Sequence, residues 1–363
     1  MRRLLATALL AAATSSTGCT FSAPDEATEV IVDPRVTVLP ELSGMVVSDD
    51  AVTIPRDGNG SLASLAVGDI LISTVGEGFL RRIDALAPTA GSFTFATSDA
   101  ELTDALVSAQ LASSIGGEGK ADTHQLPTVG FMIRDRVVLE NAAITAKITK
   151  ASLSFSPELD LDVNIDDSHV ERFEMVVRGR ITGVLDFEID ARDVAAGPEI
   201  VLWQSSPAIF YQQVGPLPVV ETVTTSVVFK LQATAKGQGL IRITADALST
   251  LAGGVRYTRG EGWDPVAEAT LTTHGAIPEQ GLTFDQLGVR GWLAVRTDVR
   301  LYGLAGPFIA AGPQAEVSRA SATGKLDGAV GFRAAAGGGL KFFRLNVPAM
   351  PSYDLFDVTK PIL

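Results

Sequence analysis

The residues with the clearest claim to chemistry lie between positions 160 and 171. Asp160, Asp162, Asn164, Asp166, Ser168 and Glu171 fall at the first, third, fifth, seventh, ninth and twelfth places of an EF-hand-like loop, the oxygen-donor spacing that calcium takes. Two features oppose that geometry. The sixth place, where such a loop turns on a glycine, is Ile165, and Leu161, Val163 and Ile165 alternate with the acids as they would along a half-buried strand. The sequence therefore predicts a solvated strand face, with a looser calcium site at Asp162, Asn164, Asp166 and Asp167 as the only cofactor it offers. A second group gathers Tyr257, Trp263 and Tyr302 beside flexible glycines. Aromatic rings flanked by polar groups suit sugar or peptide recognition, and the competing expectation is packing at strand ends. Trp203, Phe210 and Tyr211, around Pro207, pose the same choice.

Other catalytic patterns are missing. His124, His169 and His274 include no pair at metal-ligand spacing. The glycines at 116–119 precede Lys120 without the full phosphate-loop pattern, and no Gly-x-Ser-x-Gly elbow occurs. Carboxylates are numerous enough to assemble a glycosidase-like pair in three dimensions, which spacing alone does not reveal. The one cysteine, Cys19, follows Arg2 and Arg3, an apolar run at 4–13 and a small polar segment at 14–18. That order reads as an export signal over residues 1–18, too short to remain as a membrane-spanning helix. Its ending, Ser16-Thr17-Gly18-Cys19, resembles the lipobox of bacterial lipoproteins, although Ser16 stands where an aliphatic residue is usual. The resemblance implies that Cys19 carries lipid rather than acting as a nucleophile, and that residues 19–29 form a tether. Thr20, not an aspartate, then implies the outer membrane or cell surface.

The rest of the chain must position whatever these residues do. With a formal charge of −13 and no basic cluster, the protein has no electrostatic support for binding nucleic acid. A share of 6% aromatic residues argues against a membrane barrel. Short apolar runs separated by turn residues predict a mainly β chain in two parts, the first a small β-rich module over 30–112. It has strands near 36–39, 45–47, 65–75, 79–86 and 92–97, and a closing helix in which Ser98 and Glu101 have capping-box spacing and Leu102, Ala105, Leu106, Ala109 and Ala112 recur at helical intervals. Leu65-Ala66-Val67-Gly68-Asp69-Ile70-Leu71, Gly78-Phe79-Leu80-Arg81 and Phe95-Ala96-Thr97 resemble a module of uncharacterised bacterial surface proteins, a likeness that carries no activity with it.

A linker is expected over 113–127, then a large antiparallel β domain over 128–363, sandwich-like or elongated. Leu153, Phe155, Leu159, Leu161, Val163 and Ile165 share one face of a long strand, and Phe173, Met175, Val177, Ile181, Leu185, Phe187 and Ile189 share one face of the next. Turns are expected at 236–239, 252–254, 259–262, 303–307, 312–313 and 337–339. The sequence thus predicts an exported, membrane-tethered lipoprotein with a binding or structural role, whose partners are the membrane and an extracellular glycan or protein, and catalysis is not favoured. The alternatives are an enzyme acting on extracellular polymers through carboxylates, and a carrier of an apolar ligand between the sheets.

Overall fold

The computed structural model describes residues 30–87, 89–116, 126, 128–197, 199–277, 283–320, 325–338 and 350–362. The segments expected as export signal and tether, with Cys19, lie outside them, as do His124 and Lys120. The chain is nearly all β, a small module with one short helix joined to a large antiparallel sheet.

The chain enters through β1 (Ile31–Val32) and then builds the module from β2 (Val36–Leu39), β3 (Val46–Val47), β4 (Ala51–Pro55), β5 (Ile70–Ser73), β6 (Phe79–Leu86) and β7 (Ser92–Asp99). These six pair in the order β2-β5-β6-β7-β4-β3, with β2 and β5 parallel. Every residue of β5 is buried, because Leu71 faces the module's own core while Ile70 and Ile72 face the core of the large sheet. That is why the strand reads as an unbroken apolar run rather than an alternation.

The expected helix is a single turn, α1 (Leu102–Ala105), and residues 106–116 continue as strand β8 (Leu106–Gly116). The Glu101 amide bonds Asp104 Oδ2 at 3.0 Å, and Arg82 pairs with Asp104 at 2.6 Å, so the turn is held at its start. Past it a period of two wins over the helical period. Ala109, Leu111, Ser113 and Ile115 are buried alternately, and β8 forms an antiparallel ladder in which Ala109–Gly116 face Ile165–Glu158. A one-turn helix has too few hydrogen bonds to compete with such a ladder.

The large sheet continues with β9 (Val129–Glu140), β10 (Ile144–Asp166), β11 (His169–Ala196), β12 (Glu199–Gln204), β13 (Ala208–Val214), β14 (Leu217–Thr258), β15 (Gly262–Ala276), β16 (Thr283–Leu301), β17 (Leu304–Arg319), β18 (Asp327–Gly338) and β19 (Tyr353–Pro361). The long hairpin of β10 and β11 has the expected faces, closed by Asp167 and Ser168 at φ of 48° and 58°, as a mirror-image hairpin turn requires.

Two expected turns are instead places where β14 passes straight through. At 236–239 the ladder to β16 slips between Lys236 and Gly237, whose φ is 98°, and the ladder to β11 slips between Arg192 and Val194. These bulges bend the strand without ending it. At 252–254 the glycines stay inside the strand, and a Cβ on Gly254 would lie 2.0 Å from the Met175 carbonyl oxygen. The glycine there permits close strand approach and no turn. Residues 312–313 likewise lie inside β17, and 337–338 inside β18.

The bend lets the sheet fold over on itself. The first half of β14 pairs with β16, the second half with β11 and β15, and the two halves' neighbours meet face to face. Phe187 of β11 meets Phe229 edge-on at 5.9 Å and lies over Gly291 of β16, where a Cβ would come within 2.7 Å of its ring. One seam of this sandwich is joined where Tyr353 Oη donates to the Trp263 carbonyl at 3.0 Å. The other is joined where Gln212 Nε2 donates to the Ala112 carbonyl at 2.9 Å and Ser113 Oγ to Glu221 Oε2 at 3.1 Å.

Candidate functional site

The residues picked from the sequence are placed apart. Asp162, Asn164 and Asp166 alternate along the wet face of β10, so neighbours stand about 7 Å apart, and Asp167 belongs to the turn. The strand replaces the coiled EF-hand loop because Leu161, Val163 and Ile165 are buried beneath it. Arginines of the adjoining strands answer part of the acidic face. Arg172 reaches Asp162 at 3.7 Å and Glu174 at 2.6 Å, Arg256 reaches Glu174 at 2.9 Å, and Arg178 pairs with Asp160. The Arg256 guanidinium, followed by Arg172, holds the Glu174 carboxyl below the usual carboxylate range against partial burial. Among the described residues no group of three or more His, Cys, Asp or Glu side chains is arranged to hold a metal ion.

The aromatic group divides as well. Tyr257 at the far end of β14 pairs with Trp263 at the start of β15, their rings 5.3 Å apart, with Phe173 edge-on to Trp263 at 5.9 Å. Tyr257 is buried, so this trio is a packed strand end. Tyr302 lies at the turn between β16 and β17, buried, its phenol donating to the Pro218 carbonyl at 2.7 Å. Burial raises its pKa, and with no route to solvent it has no proton to exchange with a ligand.

What the fold does assemble lies on the outer face of the second layer, opposite the core. Register places Val228 of β14 beside Ala294 of β16, and Ala310 of β17 beside Ala335 of β18. Val228, Ala310 and Ala335 floor a cavity of about 220 Å³ that also meets Glu199 and Tyr353. Trp292 and Phe308 rise from the floor as walls. Each carries a guanidinium: Arg296 lies 3.8 Å from the Phe308 ring centre and Arg333 5.1 Å from that of Trp292. Arg296 is held bidentate by Asp298, at 2.8 and 3.0 Å, and Arg333 by Asp354 at 2.6 Å. Lys230 stands 3.9 Å from Glu199. Every cation of the cavity is therefore matched by a carboxylate. Trp292 is only 7% exposed, and its indole N–H finds no hydrogen-bond partner among the described residues. A buried donor without an acceptor costs about 1–3 kcal/mol.

The alternation 292–298 puts Arg296 and Asp298 on the wet side, as expected. It also puts Trp292 there, an indole standing on a solvent face among small residues, which is the signal in the sequence for this site. Arg333 and Phe308 carry no such signal, because their partners come from other strands. Comparison with family models, with curated proteins and with solved structures gives no match.

Proposed function

We propose that this protein is an exported lipoprotein, held at the outer membrane or cell surface through a lipid on Cys19, and that it binds an envelope glycan without transforming it. The observation that carries the binding reading is the cavity between Trp292 and Phe308. Its charges are balanced pair by pair, which disfavours a strongly ionic ligand, while its guanidinium and carboxylate edges suit the hydroxyls of a sugar and its aromatic walls suit the apolar face of a ring. Its volume suits one sugar ring rather than a large cofactor. The hydrolase alternative asks for a free acid pair in a cleft. The two carboxylates lining this cavity, Glu199 and Asp354, are each engaged by a cation, and the carboxyl with the most raised pKa, Glu221, is sealed in the core. The carrier alternative asks for a hollow between the layers, where Phe187, Phe229 and Pro313 instead fill the space.

The anchor is tested by fractionation. Cys19→Ser is expected to move the protein from membranes to the soluble fraction, and unchanged detergent partitioning would sink the lipoprotein reading. Titration of neutral envelope saccharides into the protein tests the cavity. Arg333→Ala and Trp292→Phe should each weaken binding about tenfold, the first by the loss of a good hydrogen bond and the second by the loss of part of an aromatic wall. Equal affinity in all three proteins would place the ligand elsewhere, and cleavage of the saccharide would favour the hydrolase.

A further inference from the structure

The edge of the second layer carries an apolar strip with no partner among the described residues. Strands β12 and β13 run end to end along β14. Their inward residues Leu202, Phe210 and Val214 join the core; Val201 at 54%, Ile209 at 36% and Tyr211 at 52% are exposed on the face of Val228, Thr222 and Val220, and Trp203, which the bulge at Leu202 sets opposite Val227, is exposed at 39% along the same strand edge. Four large apolar or aromatic side chains exposed along one strand edge, two of them aromatic, mark an interaction face.

The course of the chain says what covers it. Strand β13 turns into β14 at Gly215, and a Cβ there would come within 2.9 Å of Val30, so the first described residue is packed against this turn. Val30 therefore stands beside the lower end of the strip. Extended, the tether expected over 19–29 spans about 36 Å at most. Tyr211 is four residues from Gly215, roughly 13 Å along the strand, and the strip runs on from there to Val201 over about 26 Å, eight residues of β14. Ile31, at the same end, is 44% exposed.

We infer that this strip lies on the membrane that holds the anchor, with Trp203 and Tyr211 in the interfacial layer. The inference rests on the reading of Cys19 as lipid-bearing. Trp and Tyr are the side chains that favour the headgroup level, where the apolar ring is sheltered and the polar tip stays wet. Water still reaches that layer, so the free backbone edge of β12 and β13 is satisfied there as it would not be deeper in the bilayer. A lipid anchor and a surface contact together give a fixed orientation that a flexible tether alone does not. Val201 shares a cross-strand pair with Val228 of the cavity floor, so the cavity then opens beside the headgroups, where glycans borne on the membrane are met.

Bromolipid quenching reads the contact directly. The full-length lipidated protein is placed in vesicles of phosphatidylethanolamine and phosphatidylglycerol, with and without brominated acyl chains, and co-flotation is checked in parallel. Of the three tryptophans, Trp292 is only 7% exposed and Trp263 lies at the far seam, so quenching should fall at least twofold in Trp203→Ser, an exposed substitution that leaves the core intact. Ile209→Ser with Tyr211→Ser should lower the quenching of Trp203 while the protein still co-floats. Co-flotation with no quenching of Trp203 overturns the inference alone. Failure to co-float overturns the anchor reading and the inference with it. Shielding of Trp203 by soluble glycan, without bromolipid quenching, assigns the strip to a glycan and overturns the membrane contact.

Discussion

Burial pushes the Glu221 carboxyl from 4.5 up to about 7, and the hydrogen bond donated by Ser113 offsets only part of that. The residue is 2% exposed, inside the sandwich at the seam between β8 and β14, and no charged group answers it. Because the folded pKa is raised above the unfolded one, the stabilisation is fully present below about 4.5 and is lost as pH rises through about 7. The window corresponds to about 3 kcal/mol. Thermal unfolding of Glu221→Gln should therefore match the wild type near the acid end and exceed it above the folded pKa, with the difference growing across the window. Identical pH slopes in the two proteins would show that Glu221 does not titrate alone there. The same residue shows what spacing conceals. In the sequence Glu221 is one acid between Val220 and Thr222, and nothing marks it as the carboxyl that turns inward, since inwardness is set by the pairing of β13, β14 and β16.

At the scale of elements, legibility followed the length of the ladder that enforces a pattern. The hairpin of β10 and β11 was readable because more than twenty cross-strand pairs repeat one rule, apolar in and polar out, and a slip of one residue would expose the whole row. The acidic calcium pattern on β10 was the wet half of that rule. The failures lie where a local signal served two structures. Leu102, Ala105, Leu106 and Ala109 recur at helical spacing while Ala109, Leu111 and Ile115 alternate as in a strand, and the choice was made by the β10 edge, which no local window contains. Glycines in β14 read as turns, yet they answer neighbouring strands: Gly254 makes room for the Met175 carbonyl, and Gly237 takes up the slip that bends the strand. Composition told glycine from other residues, but only the partner strand tells a turn from a close approach. The candidate cavity was half legible for the same reason. Trp292, Arg296 and Asp298 share one strand, while Phe308, Arg333 and Asp354 reach the site from three others.

At the scale of the molecule, the small module is joined to the sandwich by more than a connecting chain. Ile70, Ile72 and Leu80 belong to the same buried cluster as the inner faces of β10, β11, β14 and β16, while Leu71, Phe79 and Ile83 close the module's own core. Gly78 lies so near Val220 that a Cβ would come within 2.7 Å of that side chain. Exposing those faces would remove apolar area from both sides at about 25 cal/mol per Å², so the module has no inexpensive way to detach while the sandwich stays folded. The strand most shared between the cores, β5, should then behave as part of β14. In native-state hydrogen exchange, the amides of 70–73 and of 219–231 are expected to open with the same denaturant dependence, as members of one cooperative unit. Exchange of 70–73 at clearly lower denaturant would mean that the module opens first and that the shared core holds it only loosely. A coincident opening would fix the module as part of the sandwich, so that the turn at Gly215, where Val30 packs, and the exposed strip beyond it keep one geometry relative to the cavity.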